Sequence, residues 1–187
     1  RRRDEVDHHR RGDHAAQWPV GEPQRRHHAH HQRPGQAVEE ADHHFLAEER
    51  LEVAGADLAL LKLYEGHTDA QAILAELHAQ TLNQPGIWGV WAAEPPNAKV
   101  RIVAREQGRV RLTGTKAWCS GALQIEHALL TAWDEQQRPQ LVALTLAQPG
   151  VKLRSDDWQA RGMALTASAN VELDHVLADC VGISGAY

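Results

Sequence analysis

The hydrophobic pattern changes period at Asn83-Gln84-Pro85-Gly86, and this divides the chain into a stretch that reads as helix and a stretch that reads as sheet. Upstream, Leu51, Ala54, Leu58, Leu61 and Tyr64 recur at three- and four-residue spacing and form one apolar stripe. Ile73, Leu74 and Leu77 form a second. Gly55 and Gly66 weaken the run, which predicts two helices or one broken helix. Downstream the runs are short and β-branched or alternating: Val100 to Ala104, Arg109 to Thr113, His127 to Trp133, Leu141 to Leu146 and Asn170 to Asp174. Between them lie the turn formers Glu106-Gln-Gly108, Asp134 to Pro139 and Gln148-Pro-Gly150. Short strands with such punctuation predict an antiparallel barrel or sandwich, and the fold class is α+β.

Residues 1 to 44 differ in kind from the rest. They hold nine of the thirteen histidines and eight arginines but no Leu, Ile, Phe, Lys, Ser or Thr, whereas the remainder holds twenty leucines. Such a segment buries too little apolar surface to offset its chain entropy and reads as disordered. The abrupt loss of common residue types also matches an unselected, frame-shifted stretch ending near Phe45. Imidazoles in His27-His28-Ala29-His30-His31 suit zinc, nickel or copper, but composition favours the unselected reading and no metal site is assigned. The expected domains are therefore 1–44 disordered, 45–85 helical and 86–187 β-barrel.

Charge narrows the function. Residues 45 to 85 carry two basic against seven acidic residues, and 86 to 187 carry ten of each, so no basic face for phosphate neutralisation arises and nucleic-acid binding is disfavoured. No apolar run reaches membrane-span length, and the start does not resemble a signal peptide. Two cysteines, Cys119 and Cys180, make no disulfide framework and fit a reducing cytoplasm. No glycine pattern of the dinucleotide-binding type follows a strand. His67 and His78, eleven residues apart, are expected on one helix face as ordinary packing or surface histidines.

The most specific stretch is Leu112-Thr-Gly-Thr-Lys-Ala-Trp-Cys-Ser-Gly-Ala122, preceded by Trp91-Ala-Ala-Glu-Pro95 and followed by His127 to Trp133, Pro149-Gly150-Val151, Gly162-Met163 and Asn170 to Val176. These segments resemble the flavin-binding middle domain of acyl-CoA dehydrogenases over roughly residues 86 to 187, and more weakly over 45 to 85, with the C-terminal domain missing, so the chain reads as a fragment. The resemblance implies FAD as cofactor and places Val90, Ala92, Ala93, Trp118, Cys119 and Ser120 at the flavin. Trp118 would cover the ring face, and the Ser120 N–H and hydroxyl would meet its N5 and O4 edge.

The implied reaction is α,β-desaturation of an acyl-CoA thioester with hydride transfer to flavin, placing the chain in fatty acid metabolism with an electron-transfer partner. The family is homo-oligomeric. Its catalytic carboxylate belongs to the C-terminal helical domain, so no catalytic residue is assigned here and the chain alone is expected to be inert. Asp156 and Asp157 read as a solvated loop, and Glu94 as structural. Ala93 stands where the family has threonine, and Pro96-Asn-Ala-Lys99 replaces its Gly-x-Gly-Ser-Asp turn. With that departure two alternatives stand beside acyl-CoA desaturation: a flavin-dependent monooxygenase of the same fold, and a non-catalytic remnant.

Overall fold

A computed structural model describes residues 49–155 and 163–185. The readings placed on residues 1–44 and on Asp156 and Asp157 lie outside them.

Residues 49–56 are helical (α1), and Leu58–Glu76 forms α2. The break falls at Asp57, whose carboxylate accepts from the N–H groups of Ala59 and Leu60 at 2.6 and 3.0 Å and so satisfies the orphan donors of the second helix. The other end closes in a Schellman pattern: His78 N–H donates to Ala75 O at 3.1 Å and Ala79 N–H to Leu74 O at 2.8 Å. His78 takes the left-handed conformation this cap requires, at φ 53. The expectation that His67 and His78 share one helix face is thereby corrected, because the helix stops before His78. Two members of the upstream apolar stripe face outward, Leu51 at 72% and Leu58 at 62% exposed, while Ala54, Leu61 and Tyr64 are half-buried. Burial concentrates in the C-terminal half of α2, where Ile73 and Leu74 pack with Trp88, Leu129, Leu141 and Val181.

Seven strands follow: β1 Trp88–Trp91, β2 Val100–Glu106, β3 Arg109–Cys119, β4 His127–Trp133, β5 Pro139–Thr145, β6 Val151–Arg154 and β7 Ala169–Val181. β2 and β3 form a hairpin whose two loop residues, Gln107 and Gly108, both have positive φ, matching the right-handed twist of the flanking strands. The pairing runs β4-β2-β3-β7-β5 and returns to β4, closing a barrel. Four of these junctions are antiparallel as expected. The closure is not: β2 meets β4 in parallel through Arg101 and Trp133, and β1 runs parallel to β4 along the preceding stretch. Those two pairings join strands separated by long connections, which local alternation does not reveal. β6 adds to the edge of β7 beyond β5.

The main core fills the barrel. β4 contributes Ala128, Leu130 and Ala132 inward, while Leu129 faces α2, so this strand is buried on both sides and loses the alternation of a half-exposed strand. Among the described residues no helix is long and apolar enough to cross a membrane.

Candidate functional site

Two segments, 91–99 and 113–120, meet at one rim of the barrel. The indole N–H of Trp91 donates to Ser120 O at 3.0 Å. Thr115 N–H donates to Lys99 O at 3.4 Å. Gly114 makes this approach possible: at φ +131, an added Cβ would lie 2.1 Å from Lys99 O, closer than any side chain tolerates. Between these anchors Ala98 N–H donates to Pro95 O at 3.2 Å and turns the chain.

Beside this turn opens a cleft of about 390 Å³. Pro95, Asn97 and Ala98 line it from the first segment, Thr115, Ala117 and Trp118 from β3, and Ala169 and Asn170 from the start of β7. The strand alternation of β3 places Leu112 and Lys116 inward and Thr115 with Ala117 outward. A register shift between Lys116 and Cys119 then breaks that alternation, with Trp118 held at φ 60 and 54% exposed. The bulge aims an indole at solvent from a strand whose other residues, Arg109 apart, are buried or half-buried.

Inside the barrel rim sits a buried ion pair. Lys116 is fully buried, and its Nζ lies 3.0 Å from Glu94 Oε1 and 3.3 Å from Thr131 O. Glu94 Oε2 accepts the indole N–H of Trp133 at 2.6 Å, and Lys99 Nζ stands 3.8 Å from the centroid of that ring. Burial pulls the Lys116 ammonium below the usual lysine range, while the hydrogen bond and charge of Glu94 oppose that shift. Glu94 is thus occupied by structural partners.

The structure brings together only part of the expected set. Trp118 lines the cleft. Ala92 and Ala93 are exposed between Trp91 and Glu94, and Ser120 is half-buried with its carbonyl taken by Trp91; none of the three lines the cleft. Val90 packs toward the helix-facing core. The Cys119 thiol points into the barrel, donates to Lys116 O at 3.3 Å and is pushed up to about 12 by burial; this residue does not line the cleft. Sequence reasoning missed Pro95, Asn97, Ala98, Thr115, Ala117, Ala169 and Asn170. For Thr115 and Ala117 the signal was present, since they share the strand face opposite Leu112. For Ala169 and Asn170 it was not, because only the β3–β7 register brings them there.

The lining fits a flat, uncharged heteroaromatic ring. Trp118 offers an aromatic face, Asn97 and Thr115 offer an amide and a hydroxyl for a polar edge, and none of the described lining residues is charged. A larger cleft of about 540 Å³ lies elsewhere, around Arg105, Asp134, Arg138 and Cys180. It suits a flavin poorly: its described lining has no aromatic side chain, and Asp134 is already bonded to Arg138. Among the described residues no group of three His, Cys, Asp or Glu could hold a metal.

No protein-family model matches the chain, and no curated protein does. Solved structures do. The FMN-bound TdsC of a Paenibacillus species superposes with a TM-score of 0.63 at 22% identity, over 73% of this chain and 39% of that one. A further structure of TdsC is described as dibenzothiophene monooxygenase. The methanesulfinate monooxygenase MsuC of Pseudomonas fluorescens gives a TM-score of 0.52 at 22% identity, over 66% of this chain and 34% of that one. FkbI, described as serving methoxymalonyl extender-unit biosynthesis, gives 0.57 at 19%, over 68% and 40%. The chain has the acyl-CoA dehydrogenase fold, a short helical segment followed by a closed β-barrel. It spans about two-fifths of the length of the TdsC structures it matches.

Proposed function

We propose that this chain is the flavin-holding barrel of a flavin-dependent oxidoreductase, with the isoalloxazine ring in the cleft beside Trp118. The observation that carries this reading is the uncharged cleft in which an outward-bulged Trp118 shares a wall with Asn97, Thr115 and Asn170. Bound flavin would supply hydride or oxygen chemistry. The chain's own residues would bind and orient it: Trp118 would exclude water from one ring face, and the Asn97 amide and Thr115 hydroxyl would bond the polar edge. No described lining residue is cationic, so a phosphate tail would leave the cleft.

Monooxygenation with FMN is the preferred reaction class. The likeness to TdsC, solved with FMN, supports it, as does the replacement of the acyl-CoA-type turn by Pro96-Asn97-Ala98-Lys99. Desaturation of an acyl-CoA with FAD is the second reading, favoured by the intact Gly114-Thr-Lys116 and Trp118-Cys-Ser120 elements.

Titrating the purified chain into FMN and into FAD tests the proposal. Saturable quenching of flavin fluorescence is expected, with affinity for FMN reduced roughly threefold to tenfold by Trp118→Ala, the range expected for one lost aromatic contact. Absence of saturation with either flavin up to about 1 mM, a binding free energy weaker than about −4 kcal/mol, would sink it. Preference for FAD over FMN would favour the second reading.

A further inference from the structure

Lys116 is the only lysine or arginine among the buried described residues, and it does not line the cleft. A buried ion pair is a poor device for stability, since well-packed apolar residues of similar volume commonly do as well or better. What this pair does have is location. Glu94 joins Lys116 on β3 to Trp133 on β4, with bonds of 3.0 and 2.6 Å, and immediately precedes the Pro95–Ala98 turn. The turn is pinned before Glu94 by the Trp91 bond to Ser120 and after it by the Thr115 bond to Lys99 O. Between those outer anchors, among the described residues, the Glu94 carboxylate is the side chain hydrogen-bonded to the barrel strands.

We infer that Lys116 is a positioning residue: through Glu94 it holds the Pro95–Ala98 wall of the cleft in place and thereby sets how tightly the cleft takes a flat ring. The part concerning ring affinity rests on the reading of the cleft as a flavin site. Each group has a separate task. The Lys116 ammonium supplies charge and direction, the Thr131 carbonyl takes a second of its protons, and the Trp133 indole occupies the other carboxylate oxygen. With both oxygens engaged from different strands, rotation of the Glu94 side chain is blocked and its backbone is held with it.

The experiment compares wild type, Lys116→Met, Glu94→Gln, the double variant, and Leu144→Ala as a control for general loss of stability. Leu144 is fully packed in the barrel core and does not line the cleft. Amide hydrogen exchange is measured at Ala98, and FMN affinity is measured well below each variant's melting temperature. The double variant removes both charges together, so it is the informative chain if a single variant fails to fold. Exchange at Ala98 is expected to rise about tenfold, and the dissociation constant for FMN to rise about tenfold, in the double variant but not in Leu144→Ala. Unchanged exchange at Ala98 in the double variant, or an equal rise in Leu144→Ala, would overturn the clamp. Faster exchange with unaltered FMN affinity would overturn its link to the ring. If wild type binds neither FMN nor FAD, the flavin reading fails, while the exchange comparison still decides whether Lys116 holds the wall.

Discussion

The indole nitrogen of Trp91 and the carbonyl oxygen of Ser120 are 3.0 Å apart, and this bond ties the end of β1 to the end of β3 across the barrel rim. Trp91 is 4% exposed and belongs to the main core, so its ring has both a packing role and a polar one. Trp91→Phe keeps much of the apolar volume and removes the donor. The expected cost is about 2 kcal/mol, from the lost hydrogen bond and the partial cavity. Urea unfolding measures it, and an unchanged midpoint would mean that solvent and neighbouring side chains replace both contributions.

Gly114→Ala should be among the most damaging single-methyl changes in this fold. The new Cβ would meet Lys99 O at 2.1 Å and Val100 Cα at 3.1 Å, both backbone atoms, while φ stays at +131. Relief would require breaking the β2–β3 register at Val100 and Gly114. A loss of about 3 kcal/mol or more is expected. Gly108→Ala is the comparison: φ is +85 but nothing lies within 4 Å, so only the backbone preference is lost, at about 1 to 2 kcal/mol. Equal urea midpoints for the two variants would contradict the role given to Gly114.

The two free cysteines should react very differently. Cys119 is fully buried and its thiol is pushed from 9.0 up to about 12 by desolvation, whereas Cys180 is half-buried beside Arg105, 3.8 Å from that guanidinium nitrogen. Iodoacetamide at about pH 8 should label Cys180 in the native protein and Cys119 only in denaturant, as peptide mass mapping would show. The shift also has a stability consequence. Because the folded thiol titrates above the unfolded one, its contribution is complete below pH 9.0 and is lost as pH rises toward about 12. Cys119→Ala should flatten that alkaline limb, and an unaltered limb would show that other groups govern it.

Asp134 should shape the acid limb. Its carboxylate accepts the backbone N–H groups of Arg138 and Gln136 at 2.8 and 2.9 Å and the Arg138 guanidinium at 2.9 Å. These bonds, led by the Arg138 backbone, hold the carboxyl below its ordinary 3.8 despite desolvation. A depressed folded value stabilises above 3.8 and ceases to do so as pH falls through the lower folded value. The stability difference between wild type and Asp134→Asn should therefore shrink steadily below about pH 4 in chemical unfolding series. A difference that stays constant to lower pH would remove Asp134 from the acid response.

Legibility in the sequence was highest where the determinant is local. The alternation from Val100 to Ala104 and from Arg109 to Thr113 corresponds to β2 and β3, and Gln107-Gly108 sits at the tip of their hairpin. The strand over Asn170 to Asp174 was visible, but its true extent, Ala169 to Val181, was not, because the register shift opposite Leu112 to Gly114 disrupts the pattern. β1 and β6 are four residues each, too short to show a period, and β6 has mostly exposed side chains. At the candidate site Trp118 was legible from its motif. Asn170 was not, since its place in the cleft comes from a strand more than fifty residues away in sequence.

By itself the sequence determined the switch from helix to strand at Pro85-Gly86, most of the turns, and a motif whose indole and small residues suit a flat ring. These are properties of neighbouring residues, set by side-chain period and by the backbone freedom of glycine and proline. Only the tertiary structure decided that β2 closes on β4 in parallel, that Leu51 and Leu58 face outward, and that Lys116 is wholly buried against Glu94. Each of these depends on which distant segments share a surface, and the free energy that selects it arises from burial and pairing across the barrel rather than along the chain.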